Sequence, residues 1–298
     1  MIDWSDSWLK TAGCADILLE FTSTDGKIQS IKVRQTPFNP KVEDNRLRVQ
    51  KFQIAALNES MEVVKVVTHM TSDSAAVTEV PEFLNDETPH CFLINYQAQG
   101  YAKFIIDNHS LKALENGLHK IKCSMTRKQL YKMLHHMIKF GNIEGARALS
   151  IFKNNLQYET AEEILQLMFT LVVPLTIQKY MPVETTDSAN EEIYKICLSI
   201  IESGRFKEIE ATQQMLLTAL IGFAKSEAST KTLLAWFNAG SLLNQAGAPL
   251  LELTLKQRHQ IVKKVFASLE IAQGEKDAAM AKLAETKSDL LQLTQCFC

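Results

Sequence analysis

A change of periodicity near residue 108 constrains the fold of this chain more than any other feature. Before it, apolar residues come in short runs: Ile17 to Thr22, Ile28 to Arg34, Leu47 to Ala56, Val63 to Met70 and Phe92 to Tyr96. Each is rich in Val, Ile, Phe or Thr and is bounded by turn residues, the pattern of short β-strands. Asp25-Gly26 between the first two runs predicts a hairpin, because Gly tolerates the positive φ of a tight turn. The inward phase slips at Ser30, which points to a bulge. Four of the seven prolines (Pro37, Pro40, Pro81, Pro89) fall between runs, as in an antiparallel sandwich of short strands.

After residue 108 no strand is expected. Leu111, Leu114, Leu118 and Ile121 recur at helical spacing, followed by Leu130, Met133, Leu134, Met137 and Ile138, then by Ala146, Leu149, Ile151 and Phe152. Thr126 is a candidate N-cap, and Gly141 and Gly204 are candidate stops. Further helical segments are expected over Glu159–Tyr180, Ala189–Ser203, Ile209–Lys225, Ser229–Phe237, Leu255–Leu269, Glu275–Glu285 and Lys287 to the end. Many short helices joined by short loops predict an all-α solenoid of the HEAT or armadillo kind, resting on element lengths and not on a repeat period. The fold class is therefore α+β and multidomain. Between the halves lies Leu93–Asp107. Phe92 to Tyr96 reads as one strand, Gln97 to Gly100 as a turn with glycine supplying the permissive backbone, and Tyr101 to Ile106 as the partner strand. Asp107, Asn108 or Ser110 then caps the first helix.

Composition removes several classes of function. Lys plus Arg is 32 against 34 Asp plus Glu, so no electrostatic footprint for nucleic acid or an anionic membrane is present. Cys14, Cys91, Cys123, Cys197, Cys296 and Cys298 form no C-x-x-C pair and read as free thiols of a reducing, cytoplasmic setting. The N-terminus lacks a signal-peptide pattern. The most apolar stretch, Ile164 to Ile177, has 14 residues with Pro174 inside it, short of the roughly 20 that span a bilayer, and reads as a buried helix.

The chain advertises no active site. No His-Glu-x-x-His, Gly-rich phosphate loop or Gly-x-Ser-x-Gly string occurs. His135 and His136 face different sides of one helix, and His69, His90, His109, His119 and His259 stand singly. Glu162-Glu163 and Glu191-Glu192 sit early in expected helices, where carboxylates favour the helix dipole. No catalytic, metal or cofactor-binding residue is assigned.

Four stretches carry a likeness: Asp3–Gly13, Ile31–Gln35, Leu47–Leu57 and, above all, Leu93–Asp107. Trp8-x-x-x-x-Gly13, Gln35 on a strand, and Asn95-x-x-x-x-Gly100-Tyr101-x-x-x-x-x-Asp107 leading into helices resemble the C-terminal half of the aminopeptidase N type of zinc peptidase. Tyr101-Ala102-Lys103 resembles most the branch that includes bacterial enzymes. Ser124–Ile143 and Leu253–Ser268 continue the likeness into the family's helical domain, with His259 where Trp is common.

The resemblance implies a tail helix of a catalytic domain over 1–13, a β-sandwich domain over 14–107, and a helical domain over 108–298 that continues past the end of the chain. In the family the zinc, its ligands and the catalytic tyrosine lie upstream of this segment. The helical bowl caps the cleft and restricts which peptides enter. The structural motif residues are Trp8, Gly13, Gln35, Asn95, Gly100, Tyr101 and Asp107. Zinc is implied for the parent and not for this chain. Trp4 with Trp8, and Leu290, Leu291, Leu293, Cys296 and Phe297, form apolar faces at the two ends, so the expected partner is the missing catalytic domain or another chain. The alternative is a catalytically dead relative serving as a scaffold or binding module.

Overall fold

In the computed structural model, which describes residues 5, 8, 9, 13–37, 46–244 and 246–285, helix and strand are mixed and the chain divides into two compact units, Met1–Met168 and Phe169–Cys298. The expectations for Trp4, for the last helix from Lys287 and for its apolar face lie outside the described residues.

The first unit begins with the hairpin that Asp25-Gly26 predicts. β1 (Ala15–Thr24) and β2 (Lys27–Pro37) pair antiparallel through Asp25 at φ 52° and Gly26 at φ 75°. Thr22 faces Ser30 but Ser23 faces Ile28, so Gln29 is the extra residue of a bulge. That slip lets Ile28, Ile31 and Val33 all be buried although they are not spaced by two. β3 (Lys51–Leu57) lies between β4 (Val63–Met70) and the later β6 (Cys91–Tyr96), antiparallel to both. β5 (Val77–Glu79) joins the edge of β2, and a 3₁₀ turn follows at Pro81–Phe83.

The second half of Leu93–Asp107 departs from expectation. β7 (Lys103–Ile105) does not return along β6; it runs parallel to β1 in the other sheet, giving orders β5-β2-β1-β7 and β4-β3-β6. The chain crosses between sheets because Phe104 has a place in the core they share. Its ring meets Phe52 of β3 at 5.0 Å, and Phe21 of β1 meets Phe92 of β6 at 5.1 Å, both edge to face.

Asp107 is the residue that caps α1 (Asn108–Gly117): its carboxylate accepts from Ser110 N–H at 2.9 Å and Ser110 Oγ at 2.6 Å. α2 (Ser124–Lys139) starts two residues before Thr126, with Cys123 at the cap position. α3 (Gly145–Leu156) follows after Gly141 ends α2 at φ 74°. α4 (Glu162–Leu167) opens on Glu162 and Glu163. α1 packs on β6 and α3, and α2 packs on β7, α3 and α4. The change of architecture at Asp107 therefore falls inside one compact unit.

Two buried polar groups tie these helices. Asn155 Nδ2 donates to the carbonyls of Leu114, Glu115 and Ile151, while its Oδ1 accepts from His119 N–H and Nδ1. Arg127 donates to both oxygens of Glu159 (3.0 and 2.6 Å) and to the carbonyls of Ile121 and Lys122. Glu159 in turn accepts from Thr160 and Ala161 N–H, closing the start of α4. All three guanidinium nitrogens donate and both carboxylate oxygens accept, which is what a buried ion pair needs to offset its desolvation.

The stretch from Ile164 to Ile177 is not one regular helix. A π turn at Met168–Val172 separates α4 from α5 (Val173–Tyr180), because Pro174 has no N–H to donate and its ring clashes with the carbonyl four residues earlier.

In the second unit α6 (Val183–Glu202), α7 (Glu210–Phe223) and α8 (Glu227–Ala239) follow. Two strands then appear where none was expected: β8 (Ser241–Leu243) and β9 (Pro249–Glu252) form a hairpin after Gly240, which ends α8 at φ 80°. Both runs are too short to declare a period, so the hairpin is invisible in the pattern. α9 (Leu255–Ala267), with a capping box of Thr254 and Gln257, and α10 (Gln273–Glu285) complete the described residues. α6 packs on α7, and α9 on α7, α8 and α10.

Glu191 and Glu192 sit in the middle of α6 and not at its start. Glu191 Oε1 instead accepts from Lys225 N–H at 2.5 Å, Ser226 N–H and Ser229 Oγ, bracing the turn ahead of α8, whose own N-cap is Ser226. The expectation that this pair opens a helix is therefore not met.

A joint of motif residues as the candidate site

Five of the seven motif residues come together at one end of the first unit. The turn after β6 is strained: Asn95, Gln97 and Ala98 have φ of 59°, 63° and 55°, a region that costs a non-glycine residue roughly 1–2 kcal/mol. Asn95 offsets this with its own side chain. Oδ1 accepts from Gly100 N–H at 2.8 Å and Nδ2 donates to the Gly100 carbonyl at 3.3 Å, so the four-residue spacing is the reach of one asparagine across the loop. Gln129 Nε2 of α2 donates to the Asn95 carbonyl at 2.6 Å, fastening the loop to the helices.

Gly100 does not supply a positive φ, contrary to the expectation; those angles fall on its neighbours. It is required for space. A Cβ there would stand 2.7 Å from Phe104 Cζ and 3.2 Å from Phe52 Cβ.

Tyr101 is held by the backbone, leaving its ring 74% exposed. Buried Gln50 donates from Nε2 to the Tyr101 carbonyl at 2.6 Å and accepts from Tyr101 N–H at 2.9 Å, a two-point match in place of a strand pair. The tyrosine ring meets Trp8 edge-on at 6.0 Å. Arg48 lies over the Trp8 ring at 5.3 Å and donates to the Gly13 carbonyl at 2.6 Å. The spacing of Trp8 and Gly13 thus serves one guanidinium, which grips a ring and a carbonyl together. Arg48 and Gln50 were missed as members of the joint; their only trace in the sequence is alternation of polar residues just before β3.

The other two motif residues serve different neighbours. Gln35 is 1% exposed and ties the loop after β4: its Nε2 donates to the Ser72 carbonyl at 3.2 Å and its N–H to the Ala76 carbonyl at 2.7 Å. Asp107 caps α1, as described.

The joint borders an open pocket of about 410 Å³ lined by Trp8, Leu9, Val49, Gln50, Lys51, Gln99, Gly100 and Tyr101. Leu9 is 72% exposed and Val49 45%. It offers rings, an aliphatic rim, hydrogen-bonded backbone and the polar side chains of Lys51 and Gln99, a lining suited to a partner surface.

Four other ionisable groups have identifiable surroundings. Lys103 pairs with Asp16 at 2.8 Å and lies 3.9 Å over the Phe140 ring. Burial lowers the pKa of His135 and of His136, assisted in each case by neighbouring cations, and their ring centres are 6.3 Å apart. His259 donates to or faces the Leu255 carbonyl one turn back at 2.9 Å, the bond expected of a helical histidine. Among the described residues no three of His, Cys, Asp and Glu come together to hold a metal ion. No described helix is long and apolar enough to cross a membrane. No family model matches the chain, and no curated protein matches it.

Proposed function

We propose that this chain is the non-catalytic C-terminal region of a zinc aminopeptidase of the aminopeptidase N type, a sandwich followed by a helical solenoid that caps the catalytic cleft and gates peptide entry. The observation that carries the reading is the joint. Trp8, Gly13, Asn95, Gly100 and Tyr101 were picked out by the resemblance to the family, and each makes contacts at this joint, Asn95 with Gly100 and the others with Arg48, Gln50 and Phe104. A chance match of residue types would leave such positions scattered over unrelated turns.

Two apolar surfaces support a role as a docking piece. Leu9, Val49 and Tyr101 rim the joint, and Val64, Val66 and Met70 are exposed on β4, an edge strand of its sheet. Exposed apolar residues grouped on an edge mark contact surfaces. The zinc and the peptide chemistry belong, in this reading, to a catalytic domain joined ahead of Trp8. Peptides are the substrates of that parent, and this chain supplies wall and lid.

The test is made on the polypeptide isolated from its source. It is expected to be longer than this chain at its amino end, to bind zinc and to release amino acids from an aminoacyl reporter, while the 298-residue chain alone leaves the reporter intact. A native polypeptide that starts at Met1 and takes up no zinc supports the scaffold alternative instead.

A further inference from the structure

We propose that the second unit carries a binding pocket for a small aromatic alcohol or phenol, between α5, α6 and α7, independent of the aminopeptidase reading. The cavity measures about 300 Å³, at the small end of the range for ligand sites, and suits a one- or two-ring molecule. Its apolar wall is Phe169, Pro174, Ile177 and Phe223, with the two phenylalanine rings edge to face at 6.4 Å.

Two backbone irregularities converge on it, and each carries a cost. The first is the π turn at Met168–Val172 followed by Pro174, which widens the helical run along one wall. The second is Gly222, in the last turn of α7. It has no positive φ, so glycine brings no conformational benefit there and weakens the helix by up to about 1 kcal/mol relative to alanine. A Cβ at Gly222 would meet no heavy atom within 4 Å. No crowding demands the glycine, which is exposed at the rim of the pocket. Local rules broken twice around one cavity are what a site selected for its space looks like.

The polar group that selects a ligand is Asn190. It is 8% exposed and lines the cavity. Its Nδ2 donates to the Thr186 carbonyl at 2.7 Å, which fixes which way the amide points. Oδ1 then has no partner among the described residues. That oxygen opens on the cavity, so it is available to accept from a ligand that donates. Lys225 lines the mouth and can donate in return. A hydroxyl on an aromatic ring does both, giving its proton to Asn190 and accepting from Lys225, while the ring fills the apolar wall.

The probes are p-cresol and toluene, titrated into the full chain with binding followed by methyl NMR. Saturable shifts at Ile177 and Ala219 are expected, with p-cresol binding roughly five- to tenfold tighter than toluene for one net hydrogen bond. Gly222→Leu, which fills the space and improves helix propensity, should weaken p-cresol at least about tenfold. Equal affinity for the two probes, shifts that never saturate, or unchanged binding to a folded Gly222→Leu chain each overturn the proposal. Should that variant not fold, the site of the shifts in the parent chain decides: methyls away from the cavity contradict it.

Discussion

Gly100 is pressed against Phe104, with room for a hydrogen and none for a methyl: a Cβ on the glycine would lie 2.7 Å from Phe104 Cζ. The pair sits where the chain leaves β6 and enters β7, so it fixes the crossing between the two sheets. Gly100→Ala is therefore expected to cost about 1–3 kcal/mol, the range for overpacking a core. Urea unfolding of Gly100→Ala, Phe104→Leu and the double variant separates the causes. Relief of crowding makes the double variant more stable than the sum of the single losses, whereas additive losses would contradict the contact.

Arg127 and Glu159 make a second testable pair. Glu159→Gln leaves a buried guanidinium without its charge partner and should destabilise the first unit by roughly 3–5 kcal/mol. Replacing both, as Arg127→Met with Glu159→Leu, should cost much less. Burial alone would raise the carboxyl pKa, but Arg127 and the Ala161 and Thr160 N–H groups together hold it below 4.5. Its folded pKa is thus depressed, so its contribution is complete above 4.5 and is lost as pH falls through the lower folded value. The double variant should show a shallower loss of stability in that acid window, and an unchanged slope would argue against the pairing.

Thiol reactivity should rank by surroundings. Cys123 is exposed at the start of α2, where the Thr126 hydroxyl and N–H, then Met125 N–H and Arg127, lower its pKa. Burial pushes Cys91 up to about 12 and raises Cys197 as well. Site-resolved alkylation at neutral pH should modify Cys123 ahead of Cys14, Cys91 and Cys197. Equal labelling of Cys91 in the folded chain would show that β6 is not buried as described.

Glu191 reaches from α6 to brace the turn that carries the Ser226 cap of α8, so its loss should be felt in the neighbouring helix. Glu191→Ala is expected to cost about 1–3 kcal/mol, the range for hydrogen bonds to a charged group. Hydrogen exchange localises the effect: the Lys225 and Ser226 amides should lose protection first. Loss confined to α6 would contradict the assignment.

What the sequence made legible was local. Asp25-Gly26, the slip between Ile28 and Ile31, a cap among Asp107, Asn108 and Ser110, and the stops at Gly141 and Gly204 each depend on a few neighbouring residues, and the structure has a turn, a bulge, a cap and stops at those places. What stayed hidden was long-range or too short to have a period. Phe104 could not be assigned to the sheet opposite Phe92 without knowing that Phe52 would meet it. Arg127 and Glu159 are separated by 32 positions. β8 and β9 are three and four residues long, too brief for alternation to register. In the joint, motif spacing identified Trp8, Gly13, Asn95, Gly100 and Tyr101, but assigned Gly100 a backbone role that belongs to Asn95, Gln97 and Ala98. Arg48 and Gln50, which hold the joint, carry no spacing signal of their own.

The central claim is that a zinc aminopeptidase catalytic domain stands ahead of this chain. Sequencing the message upstream of Met1 tests it most directly. The account predicts an open frame holding His-Glu-x-x-His with a second glutamate about 18 residues later, the ligand spacing of this peptidase class. A start codon at Met1 with no coding sequence before it would contradict the account.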